Sequence, residues 1–150
     1  MEQIFWKCKT FDALSPHELY GIIKLRNEVF VVEQNCVFQD ADDKDQRCYH
    51  LVGYSNNQVA AYARLVPSEV AYPQISIGRV ITSKSYRRTG IGKALMEQAI
   101  EYAFRLFGKQ TIKIGAQLYL KSFYQNFGFV QVGDVYDEDG IDHIHMVREM

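Results

Sequence analysis

The stretch Arg87-Arg88-Thr89-Gly90-Ile91-Gly92-Lys93-Ala94 follows the strand-like run Ile75-Ser76-Ile77-Gly78-Arg79-Val80-Ile81-Thr82 and opens an apolar-periodic helix. Glycines at 90 and 92 leave the backbone bare at that helix start, so successive N–H groups can turn toward an anion where the helix dipole also favours negative charge. Arg87, Arg88 and Lys93 add countercharge. The stretch therefore reads as a phosphate cradle, against the plainer alternative of an exposed, glycine-capped helix start carrying surface cations. Two better-known cradles are excluded. A P-loop needs glycine where Arg87 stands and Ser or Thr where Ala94 stands, and a dinucleotide fingerprint needs a third small residue where Leu95 stands. A phosphate-bearing ligand of another kind remains.

Working outward, the helix is predicted over residues 90 to 107, with Ile91, Leu95, Ala99, Tyr102, Ala103 and Leu106 on one face and Gly108 as its stop. Thr111-Ile112-Lys113-Ile114-Gly115-Ala116 reads as a strand. Residues 118 to 127 form a short helix closed by Gly128, and two strands broken by Asp137-Glu138-Asp139-Gly140 complete the chain. Upstream, residues 49 to 54 and 58 to 66 read as a hairpin through Ser55-Asn56-Asn57. Ser15-Pro16-His17-Glu18 supplies an N-cap, a proline at N1 and a glutamate at N3, so a helix begins there and runs on to about residue 33. Ile4-Phe5-Trp6-Lys7-Cys8-Lys9 alternates as a first strand, and residues 39 to 47 are a polar loop expected to be mobile. The order is mixed α/β with an antiparallel front half. No repeat or Pro/Ser-rich linker interrupts it, so residues 1 to 150 are expected to be a single domain.

The composition narrows the class. At 150 residues, 47% hydrophobic and 13% aromatic, the chain can bury a sizeable core. A formal net charge of -1 gives no overall field toward nucleic acid or an anionic membrane, so any basic site must be local. The Lys84/Arg87/Arg88/Lys93 cluster also lacks the interleaved aromatics of a single-strand platform. Cys8, Cys36 and Cys48 are odd in number and lack metal-ligand spacing, which predicts reduced thiols in the cytoplasm. The N-terminal stretch Met1-Glu2-Gln3-Ile4-Phe5-Trp6 lacks the features of a signal peptide, and no segment approaches a membrane span. His143-x-His145 places two imidazoles on one strand face, but the nearby aspartates read as a solvated turn, so no metal is expected.

A strand, then Arg87-x-x-Gly90-x-Gly92 opening a helix, then a strand, then a short helix carrying Phe123-Tyr124-x-x-x-Gly128-Phe129, resembles the GNAT superfamily of N-acetyltransferases. Within it the chain is similar to the ElaA-like branch, on the residues from Leu25 to Gln34, Gly78-Arg79-Val80, Ala116-Gln117 and Glu138-Asp139-Gly140-Ile141-Asp142-His143. It departs in one place, with Asp142 where that branch usually has proline. The resemblance implies the GNAT fold: a mixed, mostly antiparallel sheet of six to seven strands, about four flanking helices, and a V-shaped splay between the two central strands.

The resemblance also implies a site. Acetyl-CoA would place its pyrophosphate on the backbone from Arg88 to Lys93, through Thr89, Gly90, Ile91 and Gly92, with Arg87 nearby. Its pantetheine arm would pair with the backbone of Val80, Ile81 and Thr82 beside a bulge, and Gln117 takes the place of an asparagine that touches the cofactor in many members. Coenzyme A would be the product. Tyr124 falls where the family keeps its general acid; its alternative reading is a core aromatic beside Phe123 and Phe127. Glu33 and His50 are the candidate bases for the attacking amine; Glu33 could instead pair with Arg26 or Arg64, and His50 could be a hydrogen-bonded strand histidine. The implied activity is N-acetyl transfer to a small-molecule or peptide amine, with no nucleic-acid or membrane partner and with a homodimer paired through strands. The alternative is a catalytically silent acyl-CoA sensor.

Overall fold

The computed structural model describes residues 3–150; Met1 and Glu2, part of the stretch read for a leader, lie outside the described residues. Strand β1 (Phe5–Thr10) pairs antiparallel with β2 (Tyr49–Ser55), which pairs with β3 (Gln58–Val66), which pairs with β4 (Ser76–Thr82). A second sheet has the order β5 (Ile112–Gln117), β7 (Ile141–Arg148), β6 (Val130–Glu138), again antiparallel. Among the described residues three α-helices, α1 (Pro16–Arg26), α2 (Ile91–Phe107) and α3 (Lys121–Gln125), accompany the strands, together with a wider π-type segment at Asn27–Glu33 and short 3-10 turns.

Local chemistry places these elements. The Ser15 hydroxyl accepts from the Glu18 amide at 3.0 Å and the Glu18 carboxylate accepts from the Ser15 amide at 2.8 Å, a reciprocal cap that starts α1 at Pro16. Ser15→Ala is expected to cost about 1 kcal/mol. That corresponds to a melting temperature lower by about 2–4 °C, readable by calorimetry. The helix does not continue in α form to residue 33. From Asn27 its turns widen into a π-type segment that ends at Glu33. At the β2–β3 turn Asn56 and Asn57 both take positive φ, 51° and 62°, the two-residue hairpin geometry that matches the twist of the strands.

The core lies on both faces of the first sheet. Ile22, Leu25 and Val29 cover Val52, Tyr62 and Ile81. On the opposite face Leu95, Met96 and Ala99 of α2 join Ala61, Ala63 and Leu65 of β3 with Ile114 and Met146 of the second sheet. Successive β3 residues thus face opposite helices, the period-2 alternation of a strand covered on both sides. Leu106, expected on the buried face of α2, is 39% exposed, whereas Met96 is fully buried.

The decisive feature is where the sheets meet. Between β4 and β5 the only bridge among the described residues is the parallel contact of Ile75 with Ile112, with the Lys113 amide donating to the Ile75 carbonyl at 3.0 Å. Beyond that point the strands diverge toward Thr82 and Gln117. β4 also carries a bulge: Arg64 pairs with Gly78 and Tyr62 with Ile81, so Arg79 and Val80 oppose the single residue Ala63. Arg79 takes φ of 51°, a left-handed conformation unusual for a side chain of this size.

Candidate active site

A cleft of about 810 Å³ fills the opening between β4 and β5. One wall is the bulged edge Arg79, Val80, Ile81 and Thr82; the other is Gly115, Ala116 and Gln117. Its floor carries Phe123 and Tyr124, and Glu33, Gln34 and Cys36 close over it from the π segment and the residues beyond.

At one end lies the glycine-rich turn. Gly90 has φ of +85° and caps α2, a conformation that suits glycine, and the helical ladder begins only with the Ala94 amide donating to the Gly90 carbonyl at 3.1 Å. The Ile91, Gly92 and Lys93 amides therefore precede the first intrahelical bond. Gly92 lines the cleft, and a Cβ there would reach within 3.7 Å of the Phe123 ring. Ile91 turns into the core, while Arg88, Thr89, Gly90 and Lys93 are exposed. This is a bare, electropositive backbone that fits a pyrophosphate.

Arg87 is committed within the protein. Its guanidinium donates through Nη1 to Glu33 Oε1 and through Nη2 to Glu33 Oε2 at 3.1 Å, and Nη2 also reaches the Thr82 carbonyl at 3.2 Å. Arg87 thereby holds the Glu33 carboxyl below its ordinary range. The partner of Glu33 is neither Arg26 nor Arg64. Gln34 and Gln117 exchange side-chain amide hydrogen bonds of 3.3 and 3.4 Å, a second tie from the end of the π segment to the sheet.

Tyr124 is 6% exposed and its ring meets Phe123 edge-on at 5.1 Å and Phe129 at 6.1 Å. Burial pushes its phenol well above the ordinary tyrosine value, so it is a neutral proton donor throughout the physiological range. Core packing and cleft exposure coexist in this one residue.

His50 does not line the cleft, which corrects its placement among the candidate bases. β2 is an interior strand, and the ring is buried with Nδ1 2.6 Å from the Tyr62 hydroxyl and Nε2 2.8 Å from the Asp45 carbonyl. Burial lowers its pKa and keeps it neutral. It is a hydrogen-bonded core histidine.

The loop read as mobile is held by ion pairs. Arg26 is fully buried, with Nε 2.6 Å from Asp40 and Nη1 2.8 Å from Asp45. Arg64 binds Asp42 at 2.8 Å and Asp45 at 2.9 Å. Arg79 Nε stands 2.8 Å from Asp40 Oδ1, and its Nη2 donates to the Asp40 carbonyl at 2.9 Å. Burial raises the pKa of Asp42 and Asp45, yet the arginines outweigh it and hold both carboxyls below their ordinary range. The same network fastens the side chain of the left-handed Arg79, and with it the bulge.

Glu138, Ile141 and His143, from the tail segment on which the branch resemblance partly rests, also line the cleft, and Cys36 Sγ reaches the neighbouring Asp139 carbonyl at 3.4 Å. The resemblance assigned them no role; the β6–β7 and β5–β7 registers bring them to the wall beside Gln117.

A splayed seven-stranded frame with a glycine-rich helix start at one end of the gap and a buried phenol on its floor defines an acyltransferase of the GNAT class. The chain belongs to that family: residues 12–150 match the family model described as Acetyltransferase (GNAT) domain. Its relatives place it in the ElaA-like branch. It is 41% identical to Protein ElaA of Escherichia coli over 149 residues, covering 98% of this chain and 97% of the relative. It is 42% identical to a UPF0039 protein of Synechocystis over 146 residues, covering 97% and 95%. Among solved structures, an acyl-CoA N-acyltransferase from Pseudomonas aeruginosa superposes with a TM-score of 0.93 at 40% identity, over 97% of this chain and 99% of that one.

Proposed function

We infer that the chain moves an acetyl group from acetyl-CoA to a primary amine by direct attack with both substrates bound. The observation that carries this reading is the presence, in one cleft, of a bare helix N-terminus, a strand edge opened by a bulge, and a neutral buried phenol. An acyl-CoA supplies an activated acyl group on sulfur; the chain's residues bind, orient and move protons around it.

The amides from Arg88 to Lys93 hold the diphosphate. The backbone of Val80, Ile81 and Thr82 pairs with the pantetheine amides as an added strand, and an N–H of that edge stabilises negative charge at the acyl oxygen. Gln117 lies against the arm from the opposite wall. Tyr124 protonates the departing sulfur. No helix among the described residues is long and apolar enough to cross a membrane. With the reduced thiols, this suits a cytoplasmic enzyme acting on a dissolved amine.

The test is thiol release from acetyl-CoA over a panel of amines, beside calorimetric binding of acetyl-CoA. Amine-dependent release supports transfer; binding without release from any amine supports the sensor reading instead. The Glu33–Arg87 pair adds a second expectation. Glu33→Gln frees the Arg87 guanidinium for phosphate, so acetyl-CoA affinity rises severalfold at low salt and the gain disappears as ionic strength increases.

A further inference from the structure

We propose that Glu33 and Gln34 form a latch across the cleft, that acyl-CoA opens it, and that the released Glu33 carboxylate receives one ammonium group of a diamine or polyamine acceptor; this rests on the transfer reading above. Residues 30–39 lie between two firm anchors, the buried Val29 and the ion-paired Asp40, and none of them is itself buried. Val32 is 74% and Val37 89% exposed, so apolar burial does not hold this stretch down. Polar ties do. Glu33 meets both terminal nitrogens of Arg87, Gln34 exchanges amide bonds with Gln117, and Cys36 Sγ reaches the Asp139 carbonyl. A segment held only by such exposed contacts opens at small cost.

The same ties use groups that the cofactor needs. Arg87 Nη2 also donates to the Thr82 carbonyl at 3.2 Å, on the strand edge where the pantetheine arm would pair, and Gln117 stands on the facing wall. Arg87 directly precedes the stretch of bare amides and shares the cleft lining with Gly92. An exposed carboxylate–guanidinium pair shifts an equilibrium by about fivefold at most, because solvent screens it and two long side chains must be ordered to form it. A diphosphate brings more negative charge to the same guanidinium and is gripped by backbone donors besides, so it wins the exchange. Arg87 then turns from Glu33 to phosphate.

Among the cleft carboxylates Glu33 is distinguished by a partner that the cofactor can remove. Asp40 and Asp42 stay with Arg26, Arg64 and Arg79, and Glu138 stands 3.3 Å from His143. Lys84 is the other cation in the field of Glu33, and an arriving ammonium takes the place that Arg87 gives up. A carboxylate favours the charged form of the ammonium it holds, so the held group is not the one that attacks. The acceptor therefore carries at least two amino groups, one at Glu33 and one facing the thioester. Both ligands must break the same pair, so whichever binds first spares the second that cost, and each raises the affinity of the other by the same factor.

The experiment measures spermidine binding by calorimetry at low salt, with and without saturating coenzyme A, for the wild type, Arg87→Gln and Glu33→Gln; no turnover is involved. In the wild type coenzyme A is expected to tighten spermidine about three- to fivefold, and spermidine to tighten coenzyme A equally, with the effect fading as salt rises. In Arg87→Gln the carboxylate is free from the start. Spermidine then binds without coenzyme A as tightly as it binds the loaded wild type, and coenzyme A adds nothing. This arm separates the latch from direct attraction between bound coenzyme A and a cationic amine, which Arg87→Gln leaves in place. In Glu33→Gln spermidine binds weakly with or without coenzyme A. Both substitutions are at the surface, so melting temperatures stay within a degree or two of wild type. No coupling in the wild type, or coupling that persists in either variant, overturns the latch and leaves the transfer reading standing, since thiol release from acetyl-CoA decides that separately. Failure of coenzyme A and acetyl-CoA to bind the wild type overturns both.

Discussion

Replacing Tyr124 with phenylalanine is expected to lower kcat by about 10²–10⁴-fold while leaving acetyl-CoA affinity unchanged. In the proposed transfer the thiolate of coenzyme A is the leaving group, and an ordinary thiol has a pKa of about 8.5, so relief of its charge is a substantial part of the barrier. The phenol is suited to supply that relief. Its ring packs edge-on against Phe123 and Phe129 where it lines the cleft, and burial raises its pKa, so it keeps its proton across the physiological range. Alkaline inhibition of kcat below about pH 10 therefore has to come from another group. Phenylalanine keeps the packing, so the melting temperature is expected to stay within a degree or two. Single-turnover measurement of thiol release checks the chemical step directly; a Tyr124→Phe enzyme as fast as wild type would remove the phenol from the reaction.

What could be read before folding was whatever sequence neighbours decide between themselves. Ser15 and Glu18 cap α1 three residues apart, Asn56 and Asn57 turn the hairpin, and Gly90 and Gly92 open α2; each rests on conformational or hydrogen-bond chemistry contained within a few positions. The strand–glycine–helix order and the Phe123-Tyr124 pair then identified the family. What stayed hidden depends on long-range pairing. The loop carrying Asp40, Asp42 and Asp45 looks solvated by composition, yet its countercharges come from Arg26, 14 residues before Asp40, and from Arg79, 39 residues after it. His50 and His143 are both strand histidines in sequence. The register of β2 buries one against Tyr62, while the register of β7 sets the other beside Gln117 at the cleft wall. The widening at Asn27–Glu33 is equally silent in an apolar pattern, although it brings Glu33 and Gln34 over the cleft to meet Arg87 and Gln117.

The stability of this arrangement is expected to depend most on Arg26. Its guanidinium is fully buried between Asp40 and Asp45, and methionine in its place preserves the length of the side chain while leaving those carboxylates with Arg79 and Arg64 alone. Breaking a buried pair from one side costs about 3–5 kcal/mol, since the remaining charge keeps its desolvation penalty and loses its partner. For a chain of this length that is a fall in melting temperature of roughly 10 °C. The sign of the pH dependence follows from the depressed carboxyls. Asp42 and Asp45 titrate lower in the folded chain than in the unfolded one, so their contribution is complete above the unfolded carboxylate value of about 3.9 and is lost as pH falls through the folded values. In Arg26→Met, Asp45 keeps only Arg64 against the same burial, its folded pKa moves up, and its acid-sensitive contribution shrinks. The stability gap between wild type and Arg26→Met is therefore widest at neutral pH and narrows as pH falls below about 4 through the folded value of Asp45. Urea unfolding at pH 7, 5, 4 and 3 reads this directly, and a gap that held constant to pH 3 would mean that Arg26 contributes as packed hydrocarbon and not as a charge.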